Sequence, residues 1–314
     1  MRFLVLGAGA LGGFFGGMLL KGGADVTFLV RPARAAQLKR DGLIIKTQDG
    51  GEIRTQVKTV QQDQLDGIYD VVLLCCKAYD LDSAMDAIAP AMGEQSVIVP
   101  VLNGVRHIDV LTERFGSGRV LGGLTAINAA LMPDGTIQQS QLRVNLNVIG
   151  ELDGRESTRC NAIKAALDAG GIPIQISDNI LVMMWMKFFG FVCIATIATL
   201  TRSRAGAIPR SASGASFVSA VIEECTRVAT ATGYPPAPGM ASLIRGMFSQ
   251  PESTYGPSML IDIEDGRLTE GEHTIGDMAG HAARANVSAP ILSAALCNLQ
   301  VYEINRKNGL QGAR

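Results

Sequence analysis

The chain has 314 residues, 47% hydrophobic and 18% charged, with a net charge of −1. That length suggests two domains, and the composition describes a well-buried globular protein and excludes a disordered one. The balanced charge, with no basic stripe, argues against a nucleic-acid partner.

In chain order, an apolar strand over residues 3–6 runs straight into Gly7-Ala8-Gly9-Ala10-Leu11-Gly12 and a helix over 11–21. Strand, glycine turn and helix in that order are the setting in which a G-x-G-x-x-G run binds a dinucleotide. Gly7 permits the tight turn, Gly9 brings no side chain against a pyrophosphate, and Gly12 lets the helix pack close on the strand. The free N–H groups and the positive dipole end of the helix then face the phosphates. A second buried strand, over 25–30, ends about twenty residues past the glycines, where a chain that binds NAD carries an acidic residue on the ribose 2′-hydroxyl. Here that place holds Arg31, followed by Pro32 and Arg34. A guanidinium there can grip a 2′-phosphate in a fork, which favours NADP, used as NADPH, over NAD. The alternative is a solvated arginine after a strand.

A helix follows near 33–40, then a hairpin-like stretch over 43–60 with Asp49-Gly50-Gly51 as its turn. Residues 69–76, YDVVLLCC, form a continuous apolar run typical of a parallel strand covered on both faces. Inside it the adjacent Cys75 and Cys76 would point to opposite faces. A helix over 81–89 and a buried strand over 96–102, ending at Asn103-Gly104, come next. Further strands are expected over 120–126, 136–141 and 145–149. This alternation predicts an α/β fold with a doubly wound parallel sheet. The six cysteines (Cys75, Cys76, Cys160, Cys193, Cys225, Cys297) and three histidines (His107, His273, His281) show no metal-ligand spacing, so no metal is expected. Reduced packing thiols suit a cytoplasmic location, and the early first strand leaves no room for a signal peptide.

Past Ser177-Asp178-Asn179 the strand signals largely vanish. Helical patterns run over 180–200, 215–232, 239–247, 278–285 and 290–305. The expected division is therefore an N-terminal domain over 1–177 and a mostly α-helical C-terminal domain over 178–314. The segment 180–200 is long and apolar enough to mimic a membrane span, but Lys187 interrupts it. A buried core helix is the expectation, with no membrane partner. Glu223 and Glu224, adjacent on a helix, point apart and suit a solvated face. Ser211 and Ser213 show no nucleophile elbow.

Ligands of open parallel sheets bind beyond the carboxyl ends of the strands. Lys77 and Asn103 follow two such ends, where each could serve a ligand or a turn. Their equivalent places on neighbouring strands favour a functional role for the pair. Lysine is almost never fully buried without a partner. Lys187 therefore either packs its stem while the ammonium reaches solvent, or is an acid whose pKa is tuned by its surroundings.

Taken together, GAGALG with Arg31, Lys77 in CCKAYD, Asn103-Gly104 in VLNGV, Trp185-Met186-Lys187, Ser258-Met259-Leu260-Ile261-Asp262 and Arg267-Leu268-Thr269-Glu270 match a known family in order and spacing. Over nearly its whole length the chain resembles the ketopantoate reductase (2-dehydropantoate 2-reductase) family. The resemblance implies a Rossmann-type domain followed by a helical one, and NADPH-dependent reduction of a 2-oxo acid, 2-dehydropantoate, in pantothenate biosynthesis. It implies that Gly7, Ala8, Gly9, Ala10, Leu11, Gly12 and Arg31 hold NADPH, and that Lys77 and Asn103 contact cofactor and substrate. By the same resemblance Ala129 lies against the nicotinamide end and Lys187 is the general acid. Ser258 helps hold the substrate carboxylate, and Glu270 lines the site and helps orient cofactor and substrate. Oligomeric state is left open, a homodimer included.

The match breaks at one place. The family carries asparagine four and eight residues after its lysine, on one helical face, where this chain has Phe191 and Ala195. Either Thr196 or Thr199 replaces their hydrogen bonds, or the chain acts on a more apolar 2-oxo acid. Oxidation of a 2-hydroxy acid and a catalytically silent nucleotide sensor are the rival readings.

Overall fold

The computed structural model describes residues 1–140 and 146–310. The chain forms two compact units, one of Met1–Asn103 and His107–Met184, the other of Gly104–Arg106 and Trp185–Arg314.

The first unit begins with β1 (Arg2–Leu6), α1 (Ala10–Lys21), β2 (Asp25–Leu29), α2 (Pro32–Asp41), β3 (Leu43–Lys46), β4 (Glu52–Thr55) and β5 (Lys58–Val60). It continues with β6 (Tyr69–Leu74), α3 (Leu81–Ile88), β7 (Met92–Pro100), α4 (Arg106–Phe115), β8 (Leu121–Thr125) and β9 (Ala129–Leu131). Then come β10 (Ile137–Gln139), β11 (Asn147–Glu151), α5 (Thr158–Ala169), β12 (Gln175–Ile176) and the start of α6 (Ile180–Thr201). Five strands build the central sheet in the order β5-β2-β1-β6-β7, all parallel. The order reverses direction between β1 and β6, the switch point at which such sheets open a crevice. The continuous apolar runs of these strands are buried, with Leu4, Val5, Phe28 and Val72 at most 0% exposed, as a sheet covered on both faces requires.

Helix α1 lies unusually close to its neighbours because one side of it is glycine. A Cβ at Gly13, Gly16 or Gly17 would run into the side chains of Ile137, Phe28 or Ile45. The approach seats α1 over β2, β3 and β10 and places its N-terminus at the end of β1.

Several sequence expectations need correction. The stretch over 43–60 is not one hairpin. β3 and β4 pair antiparallel around the Asp49–Gly51 turn, but β5 leaves them to pair in parallel with β2. Residues 58–60 find more partners as the edge of the main sheet than as the tail of a ribbon. β3 and β4 join β10 and β9 in a four-stranded sheet, and β8, β11 and β12 form a third. Cys75 and Cys76 lie past the end of β6, not inside it. Of the strands expected over 136–141 and 145–149, Gln141 and Asn145 fall outside the described residues. Helices α4 and α5, absent from the sequence reading, are formed, the latter capped by the Ser157 side chain on the Cys160 N–H at 3.2 Å. Glu151, at the end of β11, is buried and held in a fork by Arg159 of α5 at 2.7 and 2.6 Å.

The division between units falls inside α6, a few residues beyond the expected 177. The first turn of that helix belongs to the first unit because Ile180 fills the space left by Gly122 and Gly150, where a Cβ would stand 2.6 and 3.0 Å from it.

The second unit holds the rest of α6, then α7 (Gly214–Ala231), α8 (Met240–Met247), α9 (Ser258–Glu264), α10 (Ile275–Arg284) and α11 (Pro290–Lys307). Within this unit, α9 is the helix the sequence reading missed. Helix α6 has the length and composition of a membrane span, yet Phe188, Phe189, Val192, Cys193, Ile197 and Ala198 are all buried in the molecule, the pattern of a core helix.

Candidate functional site

In the first unit the strand register sets the site. Leu6 pairs with Leu29 and with Leu74, and Leu74 with Pro100. These four residues end their strands side by side. Gly9, Lys77 and Asn103 each lie three residues past that line, and Arg31 lies two past it. Residues distant in sequence are thus gathered at one carboxyl edge, around the β1/β6 switch point.

The glycine loop has the geometry its spacing predicts. Gly7 adopts φ +87°, and its N–H donates to the Leu29 carbonyl at 2.9 Å. A Cβ at Gly12 would collide with the Gly7 carbonyl and stand 3.1 Å from the Cys75 Cβ, so only glycine lets α1 close on β6. At Gly9 a Cβ would meet nothing within 4 Å. The loop is open at Gly9 and closely packed at Gly12. Helix α1 starts with no side-chain cap and no acidic residue in its first turn. The N–H groups of Ala10, Leu11 and Gly12 have no intrahelical acceptor, and the positive end of the dipole is unopposed. Ala8 is buried, Gly9 exposed, Ala10 and Leu11 half-buried. An open-sided loop of unpaired donors at an uncapped helix start fits the phosphates of a dinucleotide.

The two arginines after β2 part company. Arg31 is exposed, with its Nη2 3.2 Å from Asp80 Oδ1, a surface contact of small worth. Arg34 instead turns inward to the glycine loop, its Nε donating to the Ala8 carbonyl at 2.9 Å. The sequence reading gave Arg34 no role of its own. Its place one helical turn from Arg31 was the available signal, but the acceptor is 26 residues away. Lys77 and Asn103 are half-buried. Ala129 opens β9, opposite Gln139 of β10, and packs against the first unit's core.

In the second unit the aromatic packing of α6 fixes the face that carries Lys187. Trp185 stacks on Tyr234 at 4.7 Å between ring centroids, and meets Phe188 and His281 edge-on at 5.4 and 4.8 Å. With Trp185, Phe188 and Phe189 all buried, the rotation of the helix is fixed, and Lys187 is half-buried on it. Burial pushes its ammonium down to about 8, while the charge of the Glu270 carboxylate pulls it up. Glu270 is itself 5% exposed. The structure thus brings Lys187 and Glu270 into electrostatic contact although 83 residues separate them.

The loop leading to Glu270 is tied down from both sides. Arg267 donates from Nε to Asp262 Oδ1 at 2.8 Å, and its carbonyl accepts from the Tyr302 hydroxyl at 2.8 Å. Thr269 donates from its N–H and its hydroxyl to Glu303 Oε1 at 2.8 and 2.9 Å. The Glu270 carbonyl accepts from the Thr274 hydroxyl at 2.8 Å. Ser258 is exposed at the first residue of α9.

Phe191 and Ala195 lie on the Lys187 face of α6, half-buried and fully buried. Neither threonine replaces the polar groups expected there. The Thr199 hydroxyl is spent on its own helix, donating to the Ala195 carbonyl at 2.8 Å. Thr196, nine residues from Lys187, falls on the opposite side of the helix, fully enclosed. Glu224 also departs from expectation. It is not solvated but 2% exposed, and its carboxylate accepts from the N–H groups of Ile291 and Leu292 at 3.2 and 2.7 Å. It caps α11 from a neighbouring helix.

The chain matches the family described as "Ketopantoate reductase PanE/ApbA" over residues 3–154. It matches "Ketopantoate reductase PanE/ApbA C terminal" over residues 179–303. Among curated relatives, an uncharacterized oxidoreductase, YkpB, of Bacillus subtilis is 35% identical over 306 residues, 98% of this chain and all of that one. A 2-dehydropantoate 2-reductase of Pyrococcus horikoshii is 26% identical over 292 residues, 93% of this chain and 94% of the relative. Among solved structures, a PanE/ApbA family ketopantoate reductase from Ralstonia eutropha superposes with TM-score 0.88 and 23% identity, covering 98% of this chain and 100% of that one.

Proposed function

The chain belongs to the ketopantoate reductase family, a family of oxidoreductases, and from that premise we propose that it uses NADPH to reduce a 2-oxo acid to the 2-hydroxy acid. The leading substrate is 2-dehydropantoate, which the names of several curated relatives carry. The observation that carries the reading is Lys187, a lysine on the buried helix α6, within electrostatic reach of the buried Glu270 carboxylate, which pulls its ammonium up while burial brings it down to about 8.

When bound, a reduced nicotinamide supplies hydride to C2 of the 2-oxo acid. As negative charge grows on the carbonyl oxygen, the Lys187 ammonium stabilises it and gives up its proton there, forming the hydroxyl. Glu270 keeps that ammonium charged until the transfer. In the first unit the Gly7–Gly12 loop holds the pyrophosphate, and exposed Arg31 takes the 2′-phosphate, exchanging its weak contact with Asp80 for a charge-assisted fork. The preference for a 2′-phosphate goes with use in the reductive direction. Lys77 and Asn103, at equivalent strand ends, contact cofactor and substrate, and Ala129 the nicotinamide end. Ser258, with its hydroxyl exposed, helps hold the substrate carboxylate. A cytoplasmic enzyme of the pantothenate pathway, working as a homodimer, is the setting this reading implies.

A second reading keeps the chemistry and changes the substrate. Phe191 and Ala195 offer no hydrogen bond, and the Thr199 hydroxyl is already used. A hydroxylated side chain gains nothing from that face of α6, whereas a branched or aromatic one gains apolar contact.

Both readings are tested by following NADPH consumption with 2-dehydropantoate beside 3-methyl-2-oxobutanoate and phenylpyruvate. The highest kcat/KM on 2-dehydropantoate supports the first, and on an apolar acid the second. Lys187→Ala should lower kcat by about 10²–10⁴-fold, the usual worth of a general acid, with NADPH affinity unchanged. Turnover at the wild-type rate would remove Lys187 from the mechanism.

A further inference from the structure

Arg34 sits in the first turn of α2, and its guanidinium joins three segments far apart in sequence. Nε donates to the Ala8 carbonyl at 2.9 Å, in the middle of the glycine loop. Nη1 donates to Gln37 Oε1 at 2.7 Å and to the Gly135 carbonyl at 3.2 Å. Gln37, one turn along α2, donates from Nε2 to the Asp134 carbonyl at 2.7 Å. Asp134 and Gly135 form the turn between β9 and β10. Gly135 adopts φ +85°, and a Cβ there would collide with the Gln37 amide. That turn is shaped around the two side chains that grip it.

The grip on Ala8 has a consequence for the loop. The Ala8 carbonyl and the Gly9 N–H belong to one planar peptide and point in opposite directions. Fixing the oxygen with a charged donor therefore fixes the direction of the N–H, in a stretch where two flanking glycines would otherwise let the peptide turn over. Arg34 Nη2 is meanwhile enclosed without a hydrogen-bond partner among the described residues. Leaving a buried charged donor unsatisfied is unfavourable, and such a departure from good packing is expected at a site rather than in plain scaffold.

We propose that Arg34 is a positioning residue for the dinucleotide loop: by holding the Ala8 carbonyl it aims the Gly9 N–H at the pyrophosphate, and so sets affinity for NADPH and NADH alike, while Arg31 alone discriminates between them. This rests on the dinucleotide reading of the first unit. The Gln37 contacts to the β9–β10 turn brace the arginine in turn.

Calorimetric titration of the full-length protein with NADPH and with NADH, for wild type, Arg34→Ala, Gln37→Ala and Arg31→Ala, tests it. Arg34→Ala should weaken both nucleotides by about tenfold, the worth of one charge-assisted bond, leaving their ratio unchanged. Gln37→Ala should weaken both by about threefold, since the bond to Ala8 remains. Arg31→Ala should weaken NADPH alone. Loss of NADPH but not NADH in Arg34→Ala would overturn the proposal, because Arg34 would then be a 2′-phosphate contact. Unchanged affinities with a lowered Tm would overturn it by making Arg34 a packing residue. Should Arg34→Ala not fold, Gln37→Ala decides, and wild-type affinity for both nucleotides would count against the proposal. Wild-type protein that binds neither nucleotide would instead overturn the dinucleotide reading itself.

Discussion

An ammonium poised at about 8 changes charge within the pH range of an ordinary assay. If Lys187 donates the proton, only its charged form is competent. The reductive kcat should then be level at lower pH and fall through about 8, by about tenfold for each further unit. Burial lowers this group and the Glu270 carboxylate raises it, so Glu270→Gln should move the alkaline limb to lower pH. A pH profile of that variant identical to wild type would break the link between the two residues. Lys187 was visible in the sequence as a charge in an apolar helix. That it meets Glu270 followed only from resemblance, because 83 residues and three intervening helices separate them. Arg34 shows the opposite failing. It stands where a phosphate ligand is expected, but its hydrogen-bond partners are set by how α2 packs against the glycine loop, which no local spacing reports.

At the scale of the element, Glu224 is the clearest case of tertiary structure overriding local pattern. Two adjacent carboxylates on a helix suggest a solvated face, and the pattern of α7 alone cannot say that the N-terminus of α11 comes to rest against it. Once it does, the carboxylate meets two unpaired N–H groups and the positive end of a dipole. Glu224→Ala should destabilise the fold by about 1–3 kcal/mol, read as a lower Tm, and Glu224→Gln by less, since its carbonyl can still accept. Equal losses in the two variants would contradict this, showing that an uncharged acceptor does not hold the cap. The strand over 58–60 teaches the same lesson. Its residues read as the tail of a hairpin, but sheet edges recruit partners by position in space, and the place beside β2 was open. The glycine loop, by contrast, was fully legible, because its constraints on φ at Gly7 and on bulk at Gly12 are local.

At the scale of the molecule, alternating strand and helix signals followed by helices alone were enough to give an α/β unit and a helical unit. The strand order β5-β2-β1-β6-β7 places the glycine loop and Lys77 on either side of the switch point, which fold-level rules anticipate. The two smaller sheets were not legible, since their strands are two to five residues long and several pair across large sequence gaps. Under the proposed reading, the first unit supplies the groups that hold the nucleotide and the second supplies the proton donor. The most direct test of that account uses NADPH deuterated at the transferable position of the nicotinamide, incubated with the wild-type protein and the panel of 2-oxo acids. The account predicts a 2-hydroxy acid carrying one deuterium at C2 for each NADPH consumed. Tight binding of NADPH with no deuterated product from any 2-oxo acid would contradict it, and would leave a protein that senses the nucleotide without using it.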